Sequence, residues 1–117
     1  MDNAYKGIVE LKIWGAKHSV SFEWGKIAQL YTLYGEDWGQ ELHKAIQSFN
    51  PKKIAEILSI VMDGDYSPET IMKMSPPQSP TREALIKAFN YSFYGRETPK
   101  GEEVKKNWIM KILSLFQ

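Results

Sequence analysis

The chain has 117 residues, a formal net charge of +1 and no cysteine. This length fits one domain with a modest core. A content of 43% hydrophobic and 25% charged residues indicates a globular chain rather than a disordered one. The near-neutral charge argues against a DNA-binding surface, and the lack of cysteine excludes disulfides, thiolate zinc sites and cysteine nucleophiles.

The N-terminal sequence and the hydropathy both point to a soluble protein. Met1–Tyr5 lacks the basic start and the apolar run of a signal peptide. No apolar stretch approaches the ~20 residues that a helix needs to span a bilayer. We therefore expect a cytoplasmic protein without a membrane partner.

Two segments near the N-terminus alternate between apolar and polar residues, as half-buried strands do. They are Ile8–Trp14 and Ser19–Trp24, and a turn led by glycine, residues 15–18, separates them. The side chains predicted to face the core are Val9, Leu11, Ile13, Val20, Phe22 and Trp24. The pattern predicts an antiparallel hairpin whose apolar face must be covered by helices.

The rest of the chain predicts helices separated by clear breakers. Asn50 before Pro51, and Ser67 before Pro68, are N-cap signals. The predicted helices span about residues 25–34, 38–49, 51–62, 67–74, 79–94 and 102–115. Their apolar stripes include Ile27, Leu30, Tyr31 and Tyr34 in the first, Ile54, Ile57, Leu58 and Val61 in the third, and Leu85, Ile86, Phe89 and Phe93 in the fifth. The expected fold is therefore α+β and mostly helical, with a short N-terminal hairpin packed against about five to six α-helices.

The last predicted helix is separated from the others by a polar link. We expect residues 1–95 to form an α+β domain, and residues 96–117 to form a linker and an amphipathic helix that packs on the same domain. The apolar side of that helix carries Val104, Trp108, Ile109, Ile112, Leu113 and Phe116. Core packing, a partner's groove and a membrane surface all remain open for this side.

The acidic run Asp63–Asp65 resembles the start of a calcium loop, but the spacing then fails. Pro68 occupies the position of the required glycine, and Met74 that of the bidentate glutamate. The run is better interpreted as a turn between two helices. His18, in the predicted turn, and His43, on the polar flank of its helix, are expected at the surface.

No other motif indicates a reaction or a cofactor. The sequence has no glycine-rich phosphate loop and no nucleophile turn, so we predict no catalytic residue, metal site or cofactor. A helix-turn-helix DNA-binding motif needs clustered basic residues on its recognition helix. The candidate helices offer only Arg82 with Lys87, or Lys52 with Lys53.

The order of the segments is distinctive as a whole. The start "GIVELKIWGAKHSVSFEW" runs into "GKIAQLYTLYGEDWGQELHKAI", and "FNPKKIAEILSIVM", "SPETIMKM" and "TREALIKAFNYSFYG" follow. This order resembles the small tail assembly chaperones of long-tailed phages and gene transfer agents, over about Gly7 to Gly95. The positions that match the family pattern are Ile27, Leu30, Gly35, Ile57 and Leu85. We interpret them as structural positions and not as functional residues.

The resemblance implies a non-enzymatic role in tail morphogenesis. Such a protein would hold the tape measure protein and the major tail tube protein in the host cytoplasm, and would be absent from the mature virion. Alternatives are another small phage or prophage adaptor, such as a head–tail connector component, or a helical nucleic-acid-binding regulator. Because the chain is rich in aromatic residues, the candidate partner contacts are Trp14, Trp38, Tyr91, Tyr94 and Trp108.

Overall fold

The computed structural model describes residues 7–95. They begin with an antiparallel hairpin of strands β1 (Val9–Ile13) and β2 (Ala16–Val20). The helices that follow are α1 (Trp24–Tyr34), α2 (Trp38–Ser48), α3 (Pro51–Val61), α4 (Pro68–Met74) and α5 (Gln78–Tyr94). The prediction of a mostly helical chain with an N-terminal hairpin is therefore confirmed.

The predicted number of helices was too high. A 3-10 turn, Gly35–Asp37, joins α1 to α2 without a break, so residues 24–48 form one continuous helical segment. Residues 7–95 thus contain four such segments instead of five to six, and the last predicted helix, residues 102–115, lies outside the described residues. Within residues 7–95, no helix has the length and hydropathy that crossing a bilayer requires.

The hairpin turn is shorter than predicted. Trp14 and Gly15 both have positive φ, 50° and 89°, and they connect the strands as a two-residue turn of type I′. Residues 16–18, predicted as the turn, therefore belong to β2. The alternation misplaced the turn because a bulky residue such as Trp14 rarely adopts positive φ. Its indole Nε1 donates a hydrogen bond of 2.7 Å to the carbonyl of Met74, at the end of α4.

Both predicted N-caps are confirmed. The side chain of Asn50 accepts hydrogen bonds from the amides of Lys52 and Lys53, at 3.1 and 3.3 Å, at the start of α3. Ser67 Oγ accepts one from the amide of Thr70, at 3.1 Å, at the start of α4. These bonds satisfy amide groups that lack a partner in the first turn of a helix.

Helix α3 lies at the centre of the core. The predicted core residues of this helix are all buried, and they are Ile54, Ile57, Leu58 and Val61. Helices α1, α2 and α4 pack against α3, and α5 packs mainly against β1. Beyond α3, the chain continues as Met62, which forms an isolated antiparallel bridge with Val20 of β2.

Several side chains, among them Trp24, Tyr31, Phe93 and His43, differ from the prediction in their exposure. Trp24 is 84% exposed because α1 begins at that residue and the strand alternation has already ended. Phe93, expected in the apolar stripe of α5, is 54% exposed. His43 is buried, and its ring meets the ring of Phe89 edge-on at 5.4 Å, so it is not the surface residue that the sequence predicted.

Candidate functional site

The acidic run links α3 to the hairpin. Asp63 Oδ1 accepts a hydrogen bond from the amide of Ser19 at 2.8 Å, and the amide of Asp63 donates to the carbonyl of Ser19 at 2.9 Å. Gly64 has a φ of 104°, and a Cβ there would lie 2.6 Å from the ring of Tyr66. Among residues 7–95, no three His, Asp or Glu side chains are grouped so that they could hold a metal ion. The visible role of Asp63 is structural.

The predicted aromatic contacts do not form one group. Trp14 is 72% exposed, at the hairpin turn beside α4. Trp38 and Tyr94 are half-buried, whereas Tyr91 is only 6% exposed and belongs to the core. Trp108 lies outside the described residues. Tyr91 therefore offers little surface to a partner.

Trp38 and Tyr94 belong to a continuous row of rings, which we call the aromatic row. It runs through Tyr31, Trp38, Phe89, Phe93 and Tyr94. The successive ring centroids are 6.1, 6.2, 5.6 and 4.8 Å apart, which are ordinary contact distances for aromatic pairs. The aromatic row therefore connects the C-terminal end of α5 to the exposed side of α1.

Helix α1 is unusual because its exposed surface carries no charged side chain. Leu30 is its one fully buried residue. The exposed residues are Trp24, Gly25, Ala28, Gln29, Tyr31, Thr32 and Leu33. The only charged residue of α1, Lys26, turns toward the domain, where its Nζ donates to Ser21 Oγ at 2.9 Å and to the carbonyl of Val61 at 3.2 Å.

One stripe of this surface is continuous, and we call it the α1 face. It consists of Trp24, Ala28, Tyr31 and Thr32, which share a side of the helix because they are spaced at i, i+4, i+7 and i+8. The hydroxyl of Thr32 donates to the carbonyl of Ala28 at 3.1 Å, so its hydrogen-bonding capacity is partly used within the helix. The α1 face thus offers mainly apolar and aromatic surface.

The ends of α1 differ in charge from its middle. Glu23 precedes the helix, and Glu36 with Asp37 follows it in the 3-10 turn. All three residues are exposed. The α1 face is therefore an uncharged strip with carboxylates at both ends, and this arrangement favours a partner with an apolar stripe and basic flanks.

The C-terminal end of α1 is held in place by polar contacts to α3. The hydroxyl of Tyr34 donates to Glu56 Oε1 at 2.8 Å, and burial together with this carboxylate raises the pKa of Tyr34. Lys53 Nζ lies 4.6 Å from the centre of the Tyr34 ring and 2.9 Å from Glu41 Oε1 of α2. The hydrogen bond from Lys53 lowers the pKa of Glu41. These contacts fix the side of α1 that turns away from the solvent.

A cleft of about 230 Å³ lies between α3 and α4. The residues around it are Phe49, Pro51, Ile54, Ala55, Ile71, Met72, Ser75, Pro76 and Gln78. None of these residues is charged or is a histidine. The cleft therefore offers mainly apolar volume and is lined by no ionisable side chain.

The sequence prediction missed Trp24 and Tyr31 as surface residues. Trp24 was placed on the inner side of a strand, and Tyr31 in the buried stripe of the next helix. A usable signal was present, since residues 27–35 contain no charged residue in a chain that is 25% charged. A long uncharged stretch indicates either burial on all sides or a surface reserved for a partner.

Comparison of this chain with protein-family models, with curated proteins and with solved structures found no match.

Proposed function

We propose that this domain is a non-enzymatic binding module that contacts its partner through the α1 face. The observation that carries the proposal is a surface helix whose exposed residues include two large rings and no charge. Isolated exposed apolar residues are normal in soluble proteins. A contiguous uncharged strip is typical of an interface core, where charged residues are depleted and aromatic residues enriched.

The size of the α1 face indicates what kind of partner it suits. The 11 residues of α1 span about 16 Å. A stable interface between two globular proteins buries about 800 Å² on each side, which is more than one short helix provides. A single amphipathic helix fits better, because it needs only three or four apolar anchors along one side. The carboxylates at both ends of α1 favour lysine or arginine next to those anchors.

Within this role, we propose a tail assembly chaperone whose clients are the tape measure protein and the major tail tube protein. The support is the resemblance of residues 7–95 to that family, together with a surface suited to helical segments. A long helical client exposes apolar stripes before assembly, and covering them would keep it soluble. We expect the chaperone to act in the host cytoplasm and to be absent from purified virions.

The test is co-expression with the tape measure protein, followed by affinity capture and measurement of its soluble fraction. In the variant Ala28→Lys, a charge enters the middle of the α1 face at an exposed helical position that tolerates lysine. We expect capture to fall by about tenfold or more, because a desolvated charge at an interface core is costly. The matched control Gln47→Lys adds the same charge at an exposed position of α2 and should capture normally.

Two results would contradict the proposal at different levels. If the unmodified protein neither captures nor solubilises the tape measure protein, the chaperone assignment fails. If Ala28→Lys and Gln47→Lys capture it equally well, the α1 face is not the contact surface. Circular dichroism of both variants should match the unmodified protein, which separates lost binding from lost folding.

A further inference from the structure

The cleft between α3 and α4 has room for one large side chain. Its volume is about 230 Å³, whereas pockets that enclose a whole drug-sized ligand measure about 300–1,000 Å³. An apolar cavity of about 150 Å³ is enough to hold benzene. The walls include the buried residues Ile54, Ala55 and Ile71 and the half-buried ring of Phe49. A single aromatic ring therefore matches the cleft in size and in polarity.

Two residues that line the cleft have a backbone conformation that residues other than glycine rarely adopt. Phe49 and Ser75, which end α2 and α4, have φ values of 46° and 49°. Glycine is the usual residue at such left-handed helix ends. A glycine in place of Phe49 would remove one wall of the cleft. Left-handed residues of other types concentrate at functional sites, and here two of them line the same cleft.

Arg82 is held against the Phe49 wall with part of its guanidinium unused. Its Nε donates to the carbonyl of Ile46 at 2.9 Å, and its Cζ lies 5.3 Å from the centre of the Phe49 ring. Within residues 7–95, Arg82 makes no contact with a carboxylate, and the neighbouring Glu83 lies beside β1. The terminal nitrogens Nη1 and Nη2 can therefore bind a carboxylate, which a guanidinium held in place does well.

The surroundings of the cleft are positively charged. Lys52 and Lys73 each follow a lining residue along the chain, and both are exposed. Neither lysine forms an ion pair within residues 7–95. The acidic residues of α3 and α4 are Glu56, which bonds to α1, and Glu69. With Arg82, the cations around the cleft therefore outnumber the carboxylates, and this balance favours an acidic partner.

We propose that this cleft is a second binding site, which takes one phenylalanine side chain of an acidic peptide segment while Arg82 binds a neighbouring carboxylate. Its charge preference is opposite to that of the α1 face, because carboxylates flank that face and cations surround the cleft. The site does not depend on the proposed function or on the identity of a client. It can therefore be tested with synthetic peptides.

The probe is a fluorescein-labelled peptide with a central phenylalanine between two pairs of aspartates. Its binding to the full-length protein is measured by fluorescence anisotropy. One comparison peptide has alanine in place of phenylalanine, and another has lysines in place of the aspartates. We expect the alanine peptide to have a Kd at least about tenfold higher, because the buried ring is lost. The lysine peptide should bind at least about tenfold more weakly as well, because like charges repel at the cleft.

The location is tested with Gln78→Glu, which adds a carboxylate to the lining of the cleft. Gln78 is exposed in the first turn of α5, where a negative charge is favourable, and it lies one turn before Arg82. We expect the Kd of the phenylalanine peptide to rise about fivefold, since the new carboxylate repels the peptide and competes for Arg82. Gln40→Glu is the matched control, because it adds the same charge at an exposed position in the first turn of α2.

Four results would overturn this assignment. No binding of the phenylalanine peptide, or equal Kd values for the phenylalanine and alanine peptides, would show that the cleft holds no such side chain. Equal effects of Gln78→Glu and Gln40→Glu would place the peptide elsewhere on the protein. Binding of 3-phenylpropionate as tight as that of the peptide would assign the cleft to a small carboxylic acid. None of these results bears on capture of the tape measure protein through the α1 face.

Discussion

Helices α1 and α3 have the same length and similarly apolar sequences, but the fold uses them differently. Each has 11 residues, yet α3 buries five of them and α1 buries one. Helix α3 is surrounded by α1, α2 and α4, whereas among the described helices α1 packs mainly on α2 and α3. The comparison shows that apolar content by itself does not place a helix inside a domain, because the neighbours decide which residues are covered.

The difference also separates two reasons for a residue to be apolar. The apolar residues of α3 are explained by the core that they fill. Trp24 and Tyr31 of α1 have no such explanation, since large parts of both side chains remain in contact with water. We interpret this excess as surface that the fold leaves for a partner, and the following predictions test the contrast between the two helices.

The largest expected effect is a leucine deletion in α3. Leu58 is fully buried, so Leu58→Ala should lower the free energy of unfolding by about 2–5 kcal/mol through lost burial and the cavity left behind. Leu33 of α1 is exposed, and Leu33→Ala should change the same quantity by less than about 0.5 kcal/mol. Urea unfolding of both variants measures the two changes in the free energy of unfolding. Similar losses for the two would show that α1 is part of the core.

The helix starts give an intermediate effect. Asn50 caps α3, and Asn50→Ala should destabilise the protein by about 1 kcal/mol. Glu23 at the start of α1 has the extended backbone of an N-cap but makes no capping bond with its side chain. Glu23→Asp should therefore gain up to about 0.5 kcal/mol, because a shorter carboxylate can reach the amides of the first turn. Thermal unfolding measures the change. A loss of stability in Glu23→Asp would contradict the inference that an aspartate can cap the first turn of α1.

The smallest expected effect concerns the ion pair between α2 and α3. The hydrogen bond from Lys53 holds the pKa of Glu41 below its ordinary value of 4.5, so the pair stabilises the folded state above that pH and loses its effect as the pH falls through the lowered pKa. Both side chains are partly exposed, and screening limits the contribution to about 0.5 kcal/mol. Glu41→Gln should lose this amount at pH 7.

Unfolding in urea at several pH values measures the effect. The difference between Glu41→Gln and the unmodified protein should shrink steadily as the solution is acidified below pH 4.5. High salt at pH 7 should reduce it as well, because the pair is accessible to ions. A difference that grows on acidification would have the wrong sign for a carboxylate with a lowered pKa.

The sequence predicted those parts of the fold that depend on local chemistry. Asn50 and Ser67 mark helix starts because their side chains satisfy backbone amides within the same turn. The buried stripe of α3 follows from helical spacing. The hairpin turn was misplaced because Trp14 adopts a positive φ that its residue type rarely allows. No local pattern signals that conformation.

The candidate site was predicted only in part. The aromatic excess drew attention to Trp38 and Tyr94, which lie on one row of rings, and their role as partner contacts stays a prediction. It also selected Tyr91, which the core covers, and overlooked Trp24. Spacing shows which residues share a side of a helix, but whether a neighbouring element covers that side depends on tertiary packing. The uncharged stretch 27–35 leaves burial and exposure both open, and the structure decides between them for α1.

The link between Asp63 and Ser19 has a consequence for how the hairpin behaves toward other chains. Strand β2 has β1 on one side, and on its other side the segment after α3 supplies a bridge from Met62 and paired hydrogen bonds from Asp63. The C-terminal end of β2, at Ser19 and Val20, is thus no open edge onto which a foreign strand could add, and such edges are a common start of cross-β aggregation. Helix α1 can therefore present apolar side chains to the solvent while the backbone at this end of β2 is already paired within the domain.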